Sequence, residues 1–185
     1  MKKLLTLLAM IITTGVYAQT TMDRALDRYP LNKETERVVF ERIVNSTLDK
    51  NTQYLNVKKW IAVNYNDYKS VVKMEDQPGG ILVLKGVSIL SDDPTFMTEK
   101  MQYTIELTVK DKKTRIRIYD LSIDTHFIDI NPKDKNEPLE DYIKRNRSRK
   151  DVYREDGAKS VAANYNIIEN LITNLSSAIV IKDNF

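Results

Sequence analysis

Cysteine is absent from all 185 residues of this chain. That excludes disulfides, thiol catalysis, cysteine-ligated metals and a thioether lipid anchor, so stability must come from ordinary packing. Histidine occurs once, at His126. A lone imidazole titrates near neutrality and can serve as a general base, but it has no thiol to pair with here and no G-x-S-x-G motif accompanies it. Coming just after a strand-like stretch, His126 reads as a strand-end residue. No apolar run reaches the ~20 residues that a membrane-crossing helix needs. No strong excess of either charge is present: 29 Lys+Arg stand against 26 Asp+Glu.

What the chain does have begins at its N-terminus. Lys2 and Lys3 precede an apolar run from Leu4 to Val16, and Val16-Tyr17-Ala18 closes it. This is the layout of a secretory signal peptide, with small residues at the −3 and −1 positions. Cleavage is expected between Ala18 and Gln19, giving an exported, soluble protein, periplasmic or extracellular, with no transmembrane or lipid anchor. Loss of Lys2 and Lys3 takes Lys+Arg from 29 to 27 against 26 acidic residues, a net charge near +1. A near-neutral exported domain offers no bulk electrostatic case for nucleic acid. The 167 residues left suffice for one domain with a core.

Residues 19–36 are polar and without sustained period, and read as a loose N-terminal arm before a single domain over 37–181 and a short tail, 182–185. The first strand is expected at Arg37–Val44, rich in β-branched and aromatic residues. Asn45, Ser46 and Asp49 supply turn and cap chemistry. Tyr54, Val57, Ile61 and Tyr65 then recur at helical spacing within Asn51–Asn66. A second strand, Tyr68–Met74, runs into a Pro78-Gly79-Gly80 turn. The third, Ile81–Val87, is apolar on both faces. After a loop near Ser91–Pro94, Met101, Tyr103, Ile105, Leu107 and Val109 alternate with polar residues in a half-buried fourth strand. Asp111 and Lys112 turn the chain into a fifth, Lys113–Ile123. There the apolar alternation changes phase after Ile118, which requires either a β-bulge near Tyr119-Asp120 or burial on both faces. Residues 129–156 form a charged connector that accommodates a short helix after Pro138. Val161, Tyr165, Ile168, Ile172, Leu175 and Ile179 step by four and three along a long amphipathic helix. The order β-α-β-β-β-β-α predicts an α+β fold, an antiparallel sheet with helices on one face.

Three stretches carry a resemblance: Leu48 through Trp60 (LDKNTQYLNVKKW), the segment Gly79–Val87, and Tyr103–Ile123 (YTIELTVKDKKTRIRIYDLSI). Together with the element order over Arg37–Ile181, they resemble an exported domain family of unknown function, common in Bacteroides-type bacteria, with a TATA-box-binding-protein-like (TBP-like) fold. The resemblance implies a curved sheet with helices on the convex side and an open concave face. It brings no chemistry, because fold does not carry function.

Candidate sites follow from composition and pattern. If the odd-numbered side of the fourth strand meets the helices, Gln102, Thr104, Glu106 and Thr108 face the other way, joined by Arg115 and Arg117. One apolar pair of the third strand, Ile81/Val83 or Leu82/Leu84, must also reach that face. Leu82 and Leu84 are therefore taken with Thr104, Glu106, Arg115 and Arg117 as a binding surface, unless the arm or the connector covers it. Lys144, Arg145, Arg147, Arg149 and Lys150 form the one contiguous basic run, interleaved with Asp141, Asp151, Glu155 and Asp156. Asp129–Glu137 has oxygen ligands at alternate positions but fails the EF-hand template, with Lys133 at a ligand position and the glycine missing. No metal or cofactor is implied. The absence of a catalytic constellation favours a non-enzymatic binding or assembly module of the cell envelope, with an envelope protein or glycan as partner. A glycan- or peptide-acting enzyme using Glu106, Asp120 or Asp124 is the alternative, and nucleic-acid binding is opposed by export and charge.

Overall fold

The computed structural model describes residues 27–93, 97–127, 135–148, 150 and 154–182. Its elements are β1 (Phe40–Asn45), α1 (Lys50–Asn64), α2 (Tyr68–Val71), β2 (Val72–Asp76), β3 (Ile81–Asp93), β4 (Met97–Lys110), β5 (Lys113–Phe127), β6 (Lys135–Pro138), α3 (Leu139–Ser148) and α4 (Arg154–Ile179). The strands make one antiparallel sheet in the order β1-β5-β4-β3-β2. β1 pairs with the first half of β5 and β6 with its second half, on the same side.

The alternation of β4 is the ruler of the fold. Met101, Ile105, Leu107 and Val109 are fully buried against the helices, and so are Ile116, Ile118 and Ile123 of β5. The change of phase in β5 is a bulge. Thr104 pairs with Tyr119 and Gln102 with Ser122, so Asp120 and Leu121 share one place in the ladder. Asp120 takes φ 51°, the left-handed conformation such a bulge uses and aspartate tolerates. The extra residue returns Leu121 and Ile123 to the side of Ile116 and Ile118, and leaves Tyr119 on the other.

α1 starts where Asp49 caps it, its carboxylate accepting from Thr52 N at 3.0 Å. Gln53, fully buried, ties that start to the β4–β5 hairpin. Its amide donates to Leu48 O and Lys110 O at 3.0 Å each and accepts from Thr114 Oγ1 at 3.0 Å. Asn56 closes the far end of α4, donating to Ile179 O at 3.3 Å and Ile181 O at 2.8 Å, where helical carbonyls lack partners of their own. The apolar stripe of α4 packs Val161, Ile168, Ile172, Leu175 and Ile179 into the same core as Tyr54, Val57, Trp60 and Ile61 of α1.

Several expectations need correction. The segment Tyr68–Met74 is not one strand: Asp67 accepts from Lys69 N and Ser70 N and starts the short helix α2 before β2 begins. The β3–β4 hairpin runs on to Asp93 and Met97 instead of breaking into a loop at Ser91. The connector holds a strand, β6, as well as the expected helix α3. The described part of the N-terminal arm is anchored. Tyr29 is buried edge-on against Phe40 and Tyr165, and its hydroxyl donates to Val161 O at 2.7 Å. The segment expected to be a signal peptide, residues 1–18, lies outside the described residues.

Candidate functional site: the open face of the sheet

The sheet has two unlike faces. The described arm, α1, α2, α3 and α4 all pack on one of them, around a continuous core. No described element covers the other. The expectation that the arm or connector might cover it is therefore not met by their described parts: the arm lies against β1 and α4, β6 joins the sheet, and α3 sits with the helices.

The placement of the sequence-derived residues is mixed. Glu106, Arg115 and Arg117 do come together on the open face. Glu106 lies 3.4 Å from an Arg115 nitrogen and 3.6 Å from one of Arg117, while Arg117 also reaches Glu41 at 3.5 Å. Tyr119 donates to Glu106 at 3.5 Å and lies under the Arg117 guanidinium at 5.5 Å. Thr104 is on the same face but buried, flanked by its cross-strand partners Lys85 and Tyr119. Leu82 and Leu84 are corrected outright. Both are fully buried in the core, because they pair with Leu107 and Ile105 on the helix side of β4. The apolar pair reaching the open side is Ile81 and Val83, which pair with Thr108 and Glu106. Exposed Met74, Val87, Ile89 and Ile43 add to that side.

The basic run of the connector is partly neutralised. Arg145 donates through Nε to Glu137 at 3.1 Å and covers the Tyr142 ring, and Lys144 reaches Glu36 at 3.4 Å. Arg147 and Lys150 are exposed, and Arg149 lies outside the described residues. Nor do Glu106 and Asp124 form a pair for glycoside hydrolysis. Glu106 stands opposite Arg117 and Asp124 opposite Lys100. Six residues of extended strand separate those rungs, about 20 Å, against the ~5–9.5 Å between carboxylates that such enzymes use. Asp120 occupies the bulge and is exposed. His126 sits opposite Thr98 near the end of β5.

Two groupings escaped the sequence. The first is a hollow of about 200 Å³ on the open face, lined by Ile43, Thr108, Lys110, Lys113 and Arg115. Lys110 and Lys113 are direct cross-strand partners, an arrangement of like charges that costs stability. Neither has an acidic partner among the described residues. Asp111, between them, is committed to capping α1 through Lys50 N at 2.9 Å. Arg115 is braced from one side by Glu106 and by Thr108 Oγ1 at 3.3 Å, leaving the rest of its planar fork for an oxyanion. The hairpin carrying these cations is tied down by Gln53, by Lys112 N to Leu48 O at 3.1 Å and by Ser46 N to Lys112 O at 2.8 Å.

The second is a buried polar cluster at the other end of the sheet. Burial raises the Glu99 carboxyl above its ordinary value, against hydrogen bonds from Thr125 and Tyr142 and the Arg145 charge that lower it. Burial also acts to raise Glu137, but hydrogen bonds from Arg145 and Lys135 outweigh it and hold that carboxyl below its ordinary value. This cluster joins β4, β5, β6 and α3, and accounts for why a strand as polar as Lys135–Pro138 is held in place. Among the described residues no group of acidic or histidine side chains is arranged to hold a metal, and no helix is long and apolar enough to cross a membrane.

An open antiparallel sheet backed by helices defines an α+β domain of the TBP-like class. Residues 40–124 match the model of a domain of unknown function, DUF4468, with a TBP-like fold. Two crystal structures share the fold. A TBP-like protein from Parabacteroides distasonis is 18% identical, with TM-score 0.62 over 82% of this chain and 96% of that one. A DUF4468 family protein from Bacteroides ovatus is 14% identical, with TM-score 0.58 over 85% of this chain and 93% of that one. No curated protein matches the chain. The recognition from Leu48–Trp60, Gly79–Val87 and Tyr103–Ile123 therefore holds at the level of fold and family, and function is not among the things it brings.

Proposed function

We propose that this is a non-enzymatic binding module of the bacterial cell envelope that uses its open sheet face to hold an acidic glycan. The observation carrying this reading is the hollow where Lys110, Lys113 and Arg115 converge, on a hairpin tied to the segment from Ser46 to Gln53, with no carboxylate among the described residues to neutralise the two lysines. Rigid placement of cations around a small concavity is what oxyanion recognition requires, and Ile43 offers an apolar wall to a sugar ring. The layout of Lys2 to Ala18 supports an envelope address. Nucleic acid fits less well, since Glu41, Glu106 and Asp124 share the face.

Titration of the isotope-labelled protein with trigalacturonate tests the reading. Amide shifts are expected around Ile43 and from Thr108 to Arg115, weakening as salt rises, with none from uncharged maltotriose. Absence of shifts, or shifts centred on Lys144–Lys150, would contradict it. Cleavage of the trisaccharide would replace binding by the enzyme alternative.

A further inference from the structure

β3 is longer than the strand that protects it. β2 pairs with β3 only over Ile81–Leu84, whereas β3 pairs with β4 up to Asp93. From Lys85 to Ser91 the outer edge of β3 therefore has no strand beside it, and no described residue hydrogen-bonds to it. An unpaired edge presents a row of N–H and C=O groups ready to extend the sheet. Elsewhere this protein blunts its edges: β2 carries a bulge at Lys73, and β3 has Lys85 at one end of the open stretch and a bulge at Leu90 at the other. Between them, Gly86–Ile89 have neither device. Val87 and Ile89 are 56% and 63% exposed, among the most exposed large apolar side chains described. On the helix side the same stretch presents Gly86 and Ser88, with the Tyr103 ring lying over Gly86 and its hydroxyl 3.3 Å from Ser88 Oγ.

The geometry points to a second copy of this chain as the occupant, joined edge to edge through β3 in an antiparallel pair about a two-fold axis at Ser88. A two-fold contact requires a patch complementary to itself, and this one is. With Ser88 on the axis, Val87 lies opposite Ile89 of the second copy, and the pair is made twice on the open face. Lys85 lies three residues from that axis, so the two copies of Lys85 stand six residues apart along the joined strands and no like charges meet. Gly86 is held by Tyr103, its direct partner across β4: a Cβ on Gly86 would come within 2.3 Å of the Tyr103 ring. The edge is thus presented flat and unbranched at the place where the second backbone must approach. The pairing would join two sheets into one and set the two open faces side by side. It does not depend on what those faces bind.

Sedimentation of the purified chain from about 1 µM to about 1 mM, the range expected for a small contact, tests this. The wild type is expected to pass from monomer to dimer, with amides of Lys85–Leu90 gaining protection from hydrogen exchange as it does. Ile89→Lys and Val87→Lys should keep the same melting temperature and weaken dimerisation at least about tenfold, through lost cross-strand pairs and new repulsion. Val63→Lys, at a still more exposed position on α1, should leave it unchanged. A monomer across the whole range, or a dimer indifferent to both edge variants, would overturn the proposal. Edge protection that arises only when another protein is added would overturn it too, assigning the edge to a different occupant.

Discussion

The two faces of the sheet are built from the same strands, residue by residue in alternation, yet they answer to different demands. On the helix side Met101, Ile105, Leu107 and Val109 are fully buried. One residue along at each step, Gln102, Glu106 and Thr108 face outward, with Glu106 drawn between two arginines and two lysines standing at the hairpin with no acidic partner among the described residues. A face that only had to stay wet would scatter its charges in pairs. This one leaves like charges opposite one another, an energetic fault that a bound anion would relieve. The lesson is that burial explains one face and does not explain the other.

Substitutions on adjacent elements make the contrast measurable. Leu84→Ala, on the covered side of β3, should cost about 2–5 kcal/mol in denaturant unfolding. Ile89→Ala, five residues on and open, should stay within ~0.5 kcal/mol. Equal losses at the two sites would mean that something covers the open face. Gly86→Ala should cost about 1–3 kcal/mol, since the added methyl meets the Tyr103 ring and not open space; a neutral result would show that the ring moves freely.

The smallest effect concerns Glu99, whose carboxyl is raised by burial above the ordinary carboxylate range. The folded state then binds its proton more tightly than the unfolded chain does, so its penalty is absent below about pH 4.5 and grows as pH rises through the folded value. Glu99→Gln should accordingly raise the melting temperature at pH 7 and leave it unchanged at pH 4. An increase at both values would trace the effect to something other than titration.

Much of the covered face was legible in the sequence, because burial writes a period. The alternation of β4 and the stripe of α4 were visible directly, and the change of phase in β5 pointed to the bulge that Asp120 makes. What escaped has physical reasons. Leu82 and Leu84 could not be separated from Ile81 and Val83, since a strand apolar on both sides has no phase of its own; only its register with β4 assigns it. β6 (Lys-Asn-Glu-Pro) has no strand propensity and exists because β5 offers an edge and Arg145 holds Glu137. Short as it is, α2 had a signal in Asp67, which a polar strand reading passed over. The cationic hollow was hidden because it forms across strands. Lys110 and Lys113 meet through a turn, and Ile43 joins them from β1, 70 residues before Lys113. The contiguous run Lys144–Lys150 drew attention instead, and the fold sets two of its cations against carboxylates.

The most direct test of the account is a paired measurement on one protein, the double variant Lys110→Glu, Lys113→Glu: trigalacturonate binding and thermal unfolding. If the open face carries binding and the covered face carries stability, binding is lost while the melting temperature stays at or above that of the wild type. Retained binding at the wild-type level would contradict the account.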